Sequence, residues 1–110
     1  MTRRRHAVVW TEPATRDVER LASYLLREAP LRAEEIVERL VACGESLQLS
    51  PERGRRPPEL RAIGDRSWRE VPEAPWRLIC RVTERRIEIH AVVDGRRDLE
   101  DVLLERILGS

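Results

Sequence analysis

Lysine and phenylalanine are absent from this sequence, cysteine and histidine occur twice each, and methionine once. Without phenylalanine, and with only three Trp and one Tyr, the core must be built mainly from Leu, Val, Ile and Ala. Without lysine, all 21 basic residues are arginines, planar forks suited to phosphate and carboxylate rather than point charges. Cys43 and Cys80 fall on apolar positions of their segments, which fits buried, reduced thiols better than a disulfide and implies a cytoplasmic location. Two histidines separated by most of the chain, with no Cys or carboxylate cluster at ligand spacing, do not support a zinc site, and no cofactor is expected. The start, MTRRRHAVVW, is basic but has too few uncharged residues before Thr11 and Glu12 for a signal peptide or a spanning helix, so no membrane association is expected.

What is present fits a single domain. A length of 110 residues is near the commonest domain size and too short for two independent cores, so positions 1–110 are read as one unit. An apolar fraction of 41% beside a charged fraction of 37% is that of a soluble globular protein. The net charge of +1 hides an uneven distribution: positions 1–11 and 51–97 are net basic, whereas 12–50 and 98–110 are net acidic. Such a balance does not by itself imply a nucleic-acid partner.

The clearest strand signal coincides with the densest arginine chemistry, in PWRLICRVTERRIEIHAVVDGRRD from Pro75 to Asp98. Trp76, Leu78, Cys80 and Val82 alternate with Arg77, Ile79 and Arg81, which on a pleated strand puts the two sets on opposite faces. After a polar turn at Thr83 to Arg86, Ile87, Ile89, Ala91 and Val93 alternate with Glu88, His90 and Val92, so the segment reads as a β-hairpin. It ends in Asp94-Gly95-Arg96-Arg97-Asp98, where a bend is followed by two guanidinium groups.

Upstream, His6 to Trp10 is short, β-branched and apolar, and reads as a first strand. Thr11 is placed to cap a helix over about Pro13 to Glu28, with proline tolerated in its first turn and an apolar stripe at Ala14, Val18, Leu21, Ala22 and Leu25. Pro30 breaks that helix, and a second one carries Ala33, Ile36, Val37, Leu40, Val41, Gly44 and Leu47, antiparallel to the first. Gly44 costs a helix about 1 kcal/mol relative to Ala, which a close approach to helix one or the sheet would offset. Pro51 to Pro58 reads as an extended loop with three arginines, Ser67 to Val71 as a strand, and Leu99, Val102, Leu103, Arg106 and Ile107 as a short helix capped by Asp98.

The order β-α-α-β-β-β-α argues for an α+β fold, an antiparallel sheet packed on a helical hairpin with a short C-terminal helix. The other face of the sheet is then left more open. Arg77, Arg81 and His90 are expected on that open face, with Arg69 a candidate to join them.

These residues carry a family resemblance. The opening VVWTEPATRDVERLASYL, the second-helix ending SLQLSPERGRRPPEL, the strand PWRLICRV and the final IEIHAVVDGRRDLEDVL, in this order and covering nearly the whole chain, resemble the RelE/ParE superfamily of toxins from type II toxin–antitoxin systems. The resemblance implies the same β-α-α-β-β-β-α fold and a cognate antitoxin as partner, in a toxin–antitoxin hetero-oligomer. RelE-like members are ribosome-dependent messenger RNA endoribonucleases. By that resemblance Arg77 and Arg97 match catalytic arginines that stabilise negative charge on the scissile phosphate. The lysine pair of that branch has no counterpart here, and its C-terminal tyrosine falls near Leu103. His90 alone offers a suitable unperturbed pKa for proton transfer, although a lone strand histidine is more often structural. A Cys80–His90 nucleophilic dyad is disfavoured because alternation puts Cys80 on the apolar side.

ParE-like members instead poison DNA gyrase, stabilise plasmids and lack the nuclease residues, and this chain departs from the nuclease pattern in the same direction. The expected reading is therefore a ParE-like toxin that binds gyrase. Arg69, Arg77, Arg81, His90, Arg96 and Arg97 form its candidate binding surface, and Arg77 and Arg97 would be catalytic only on the alternative, in which the ribosome and messenger RNA are the partners. A third reading is a non-toxic domain whose role is to bind the antitoxin.

Overall fold

The computed structural model describes residues 6–64, 66–94 and Arg106. In chain order these form β1 (Ala7–Trp10), α1 (Glu12–Glu28), α2 (Ala33–Glu45), two 3₁₀ segments (Ser46–Gln48 and Pro58–Ile63), β2 (Trp68–Glu73), β3 (Trp76–Val82) and β4 (Arg86–Asp94). Arg106 is helical; the rest of the segment expected as a C-terminal helix, with Asp98 as its cap, lies outside the described residues.

Thr11 sets the join between β1 and α1. Its backbone N–H and its hydroxyl both donate to Ile89 O on β4, at 3.0 and 3.1 Å, while Oγ1 accepts from Ala14 N–H at 3.3 Å. One residue thus ends a strand and supplies an orphan donor of the helix start with its acceptor. α1 stops at Ala29, just before Pro30, and α2 returns beside it.

The four-stranded sheet has the order β1-β4-β3-β2. β2, β3 and β4 pair antiparallel, as the hairpin pattern implies, whereas β1 joins the sheet parallel to β4, with Ala7 opposite Arg86 and Trp10 opposite Ile89. One face carries the main core: Ala14, Leu40, Cys43 and Leu47 from the helical side meet Val71, Leu78, Cys80, Ile87, Ile89 and Val92 from the sheet. Full burial of a Leu or Ile side chain stabilises by about 1.5–3 kcal/mol, so this set dominates the fold. Gly44 explains how close α2 sits: a Cβ there would lie 2.5 Å from Trp10 Cζ2 and 2.8 Å from Ile89 Cδ1. The close approach is to the sheet, not to α1.

Two expectations are corrected. First, alternation along β4 does not hold. Cys80 pairs with Ile89 but Ile79 pairs with Ala91, which leaves His90 as the extra residue of a β-bulge. Beyond the bulge the faces exchange, so Val92 joins Ile87 and Ile89 in the main core while Ala91 and Val93 turn to the opposite face. Second, that opposite face is not open. Leu60, Trp68, Ile79, Ala91 and Val93 form a second buried cluster, with Leu60 brought over the sheet by the 3₁₀ helix Pro58–Ile63 that follows the loop. Among the described residues no helix is long and apolar enough to cross a membrane.

Candidate functional site

The second face holds two polar groups at opposite ends of β3, separated by the buried Ile79. Arg77 and Arg81 are four residues apart on one strand, a spacing of about 13 Å. They therefore do not form one arginine cluster.

At the Arg77 end, the register sets Glu70 opposite Ile79 and Pro72 opposite Arg77. Glu70, whose side chain is only 2% exposed, accepts from Arg77 Nη1 at 2.7 Å through Oε2 and from Arg55 Nε through Oε1. Arg55 reaches it because the loop docks on the edge of β2, with Arg55 N–H donating to Glu70 O at 3.0 Å and Glu70 N–H donating to Arg55 O at 2.7 Å. Gly54 makes that contact possible: its φ is +105°, and a Cβ there would lie 2.5 Å from Glu70 O. Arg77 Nη2 also donates to Glu59 Oε2 on the 3₁₀ helix, at 3.3 Å. Within this group Arg77 Nε and Glu59 Oε1 are buried and make no hydrogen bond. Arg77 is thus a guanidinium held by two carboxylates, with its side chain 16% exposed.

At the other end, Arg81 pairs with Trp68 and Glu88 across the ladders and donates from Nε to Ser67 Oγ at 3.3 Å. The bulge carries the His90 ring to Trp68, with centroids 5.0 Å apart and planes at 59°. His90 Nε2 donates to Glu88 Oε1 at 3.1 Å, and Arg86 Nη2 lies 2.7 Å from Glu88 Oε2. His90, and then Arg86, hold the Glu88 carboxyl below its ordinary range against the opposing effect of burial. The backbone carbonyl of His90 accepts from Arg106 Nη1 at 2.6 Å.

Of the residues singled out in the sequence, Arg77, Arg81 and His90 do share the face opposite the main core. Arg69 does not: it pairs with Cys80, which places it on the parity of Leu78 and Cys80, and its guanidinium donates to the carbonyls of Arg66 and Trp68. Arg96 and Arg97 lie outside the described residues. Cys80 is 1% exposed, and burial pushes its thiol up to about 12. Cys43 is also raised by burial, with Arg53 Nη2 at 3.4 Å from its sulfur opposing the shift. Burial thus disfavours the nucleophilic thiolate at both positions. No group of three or more His, Cys, Asp or Glu among the described residues is arranged to hold a metal ion.

Sequence reasoning missed Arg55, Glu59 and Glu70, the partners that define the surroundings of Arg77. The one available signal was Glu70 sharing strand parity with Trp68, which marks it for burial if Trp68 is buried.

Residues 8–99 match the family of ParE toxins of type II toxin–antitoxin systems, parDE. A chain of the chromosomal ParDE toxin–antitoxin system from P. aeruginosa has a similar structure, with a TM-score of 0.66 at 19% identity over 84% of this chain and 98% of that one. A chain of the toxin–antitoxin complex RelBE2 from Mycobacterium tuberculosis gives a TM-score of 0.60, also at 19% identity, over 84% and 94% of the two chains. At such identities the likeness is one of fold. No curated protein matches the sequence.

Proposed function

This chain belongs to the ParE toxin family of type II toxin–antitoxin systems, and we propose on that premise that it arrests growth by binding and poisoning DNA gyrase, and that a cognate antitoxin neutralises it. The observation that carries the choice of binding over RNA cleavage is the state of Arg77. Arg77 is largely buried and faces two carboxylates, Glu70 and Glu59, whose charge offsets its own and opposes the approach of a phosphate. His90, the one candidate for proton transfer, is engaged with Glu88 and packs at a tilt against Trp68.

A protein partner fits the surface better. The helical hairpin leaves Tyr24, Leu26 and Leu31 exposed, which suits apolar anchors of an antitoxin segment that folds on binding. The second face adds partly satisfied arginines that select acidic complements. The cytoplasm, where gyrase and the antitoxin are made, is the proposed site of action.

The experiment is a gyrase assay with purified toxin. Inhibition of supercoiling, or accumulation of gyrase-cleaved DNA, is expected and should be reversed by the antitoxin encoded beside the gene. Unaffected gyrase at stoichiometric excess of folded toxin, with codon-positioned cuts in messages on treated ribosomes, would establish the nuclease reading instead. Absence of both activities and of toxicity in an antitoxin-free host would leave a domain that only binds its antitoxin.

A further inference from the structure

We propose that Glu59 is an internal stand-in for an external carboxylate, so that Arg77 forms a masked recognition slot for an acidic side chain of a protein partner. The two carboxylates on Arg77 are not equivalent. Glu70 is buried, lies 2.7 Å from Nη1, and is held from the other side by Arg55 and by two backbone hydrogen bonds to the loop. It is part of the scaffold. Glu59 is carried by a short 3₁₀ helix, is 28% exposed, and approaches Nη2 at only 3.3 Å.

The pair is also half-made. A carboxylate on the Nε–Nη2 edge of a guanidinium forms two parallel hydrogen bonds, the strongest arrangement open to arginine. Here Nη2 has its oxygen, whereas Nε and the second oxygen, Glu59 Oε1, are both buried without a partner. Two complementary orphan groups on one ion pair mark a poor occupant of a good site, because each carries a desolvation cost that a better-placed carboxylate would remove. Displacing Glu59 outward would return its charge to water and leave Arg55, Arg77 and Glu70 with a net charge of +1, complementary to one carboxylate. The edge that Glu59 vacates is planar and shielded, and its current occupant is a carboxylate. That favours an Asp or Glu side chain over a tetrahedral phosphodiester.

An occupant that fills the slot nine parts in ten weakens the apparent affinity of a competitor about tenfold. The full-length protein labelled with ¹⁵N reports on this through the Arg77 Nε–H resonance, assigned with Arg77→Lys. Titration with hexaglutamate at low salt should shift that resonance, and Glu59→Gln should bind the peptide about tenfold more tightly than the unmodified chain. Glu59→Asp, which keeps the charge but shortens the reach, should fall between and covers the case in which Glu59→Gln does not fold. Arg77→Lys should abolish the gain. Equal affinities for the three chains, or a gain that survives Arg77→Lys, would overturn the proposal. So would a short oligothymidylate that shifts the Arg77 resonance in Glu59→Gln when hexaglutamate does not.

Discussion

Asp17 on α1 accepts a hydrogen bond from Arg106 at 2.7 Å, between residues 89 positions apart in the chain. Its other oxygen accepts from Val92 N–H at 3.0 Å, the first main-core residue of β4 after the bulge. β1 pairs with β4 only as far as Ile89, so Asp17 takes over as acceptor on that edge of the strand where the neighbouring strand stops. Asp17→Ala leaves Val92 N–H and the Arg106 guanidinium without this acceptor and should cost about 3 kcal/mol, whereas Asp17→Asn, which keeps an acceptor oxygen but loses the charge, should cost about half as much. Urea unfolding of the two variants measures the difference. Equal losses would mean that the charge of Asp17, and not its acceptor oxygen, carries the contact.

Glu70 should be the most sensitive charged position among the described residues. Glu70→Ala leaves Arg77 with one loose partner in a buried setting and should destabilise by about 3–5 kcal/mol. Arg55→Ala removes a side chain that is 66% exposed and leaves Glu70 paired with Arg77, so its cost should stay below about 1.5 kcal/mol. Thermal unfolding ranks the two, and the opposite order would place the anchor in the loop instead of in β2.

Gly44→Ala sets helix propensity against packing. The substitution favours the helix by about 1 kcal/mol, yet the new Cβ meets the rigid indole of Trp10 at 2.5 Å, and overpacking of this kind costs about 1–3 kcal/mol. Net destabilisation is expected, with a change in tryptophan fluorescence because the ring must move and its Nε1–H bond to Glu45 Oε1, 3.0 Å long, must shift with it. A stabilised variant would show that α2 can back away from β1 without loss.

Acid should weaken the protein partly through Glu88. Its carboxyl is held below the ordinary range in the folded chain, so its contribution to stability is fully present above the unfolded-state value and is lost as pH falls through the depressed folded value. Glu88→Gln should therefore be less stable than the unmodified chain at neutral pH, and the two should converge at low pH. Denaturant midpoints across the acid range test this, and parallel curves would contradict it.

Thiol labelling separates native from unfolded chains. With Cys80 almost fully buried and its thiol raised to about 12, a thiolate reagent at pH 8 should react with Cys80 only as fast as the protein opens. Labelling of Cys80 at the rate of a free peptide thiol would show that the core around Leu78 and Ile89 is not closed.

The legible parts of this fold were those whose signal is local. Thr11 before a 3.6-residue apolar stripe, Pro30 between two such stripes, and period-two alternation from Trp76 to Val82 each act within a few residues, and each element formed where these signals put it. The membership of Arg77, Arg81 and His90 in one face followed from the same alternation. The features that decide what those residues do are non-local. A bulge at His90 depends on how β4 registers against β3, the burial of Glu70 depends on a loop fifteen residues upstream, and the closure of the second face depends on a 3₁₀ helix that brings Leu60 over Trp68 and Ile79. Arg69 was misplaced because parity between strands is set by pairing and not by either strand alone.

The parallel pairing of β1 with β4 bears on when the protein becomes competent. Ala7 meets Arg86, so the first strand has no neighbour until the last one has been synthesised, and the sheet closes through contacts of very high sequence separation. Loop-closure entropy makes such contacts slow to form and places them late in folding. The sheet therefore cannot be complete, nor α1 and α2 fully covered, until the segment around Arg86 has left the ribosome.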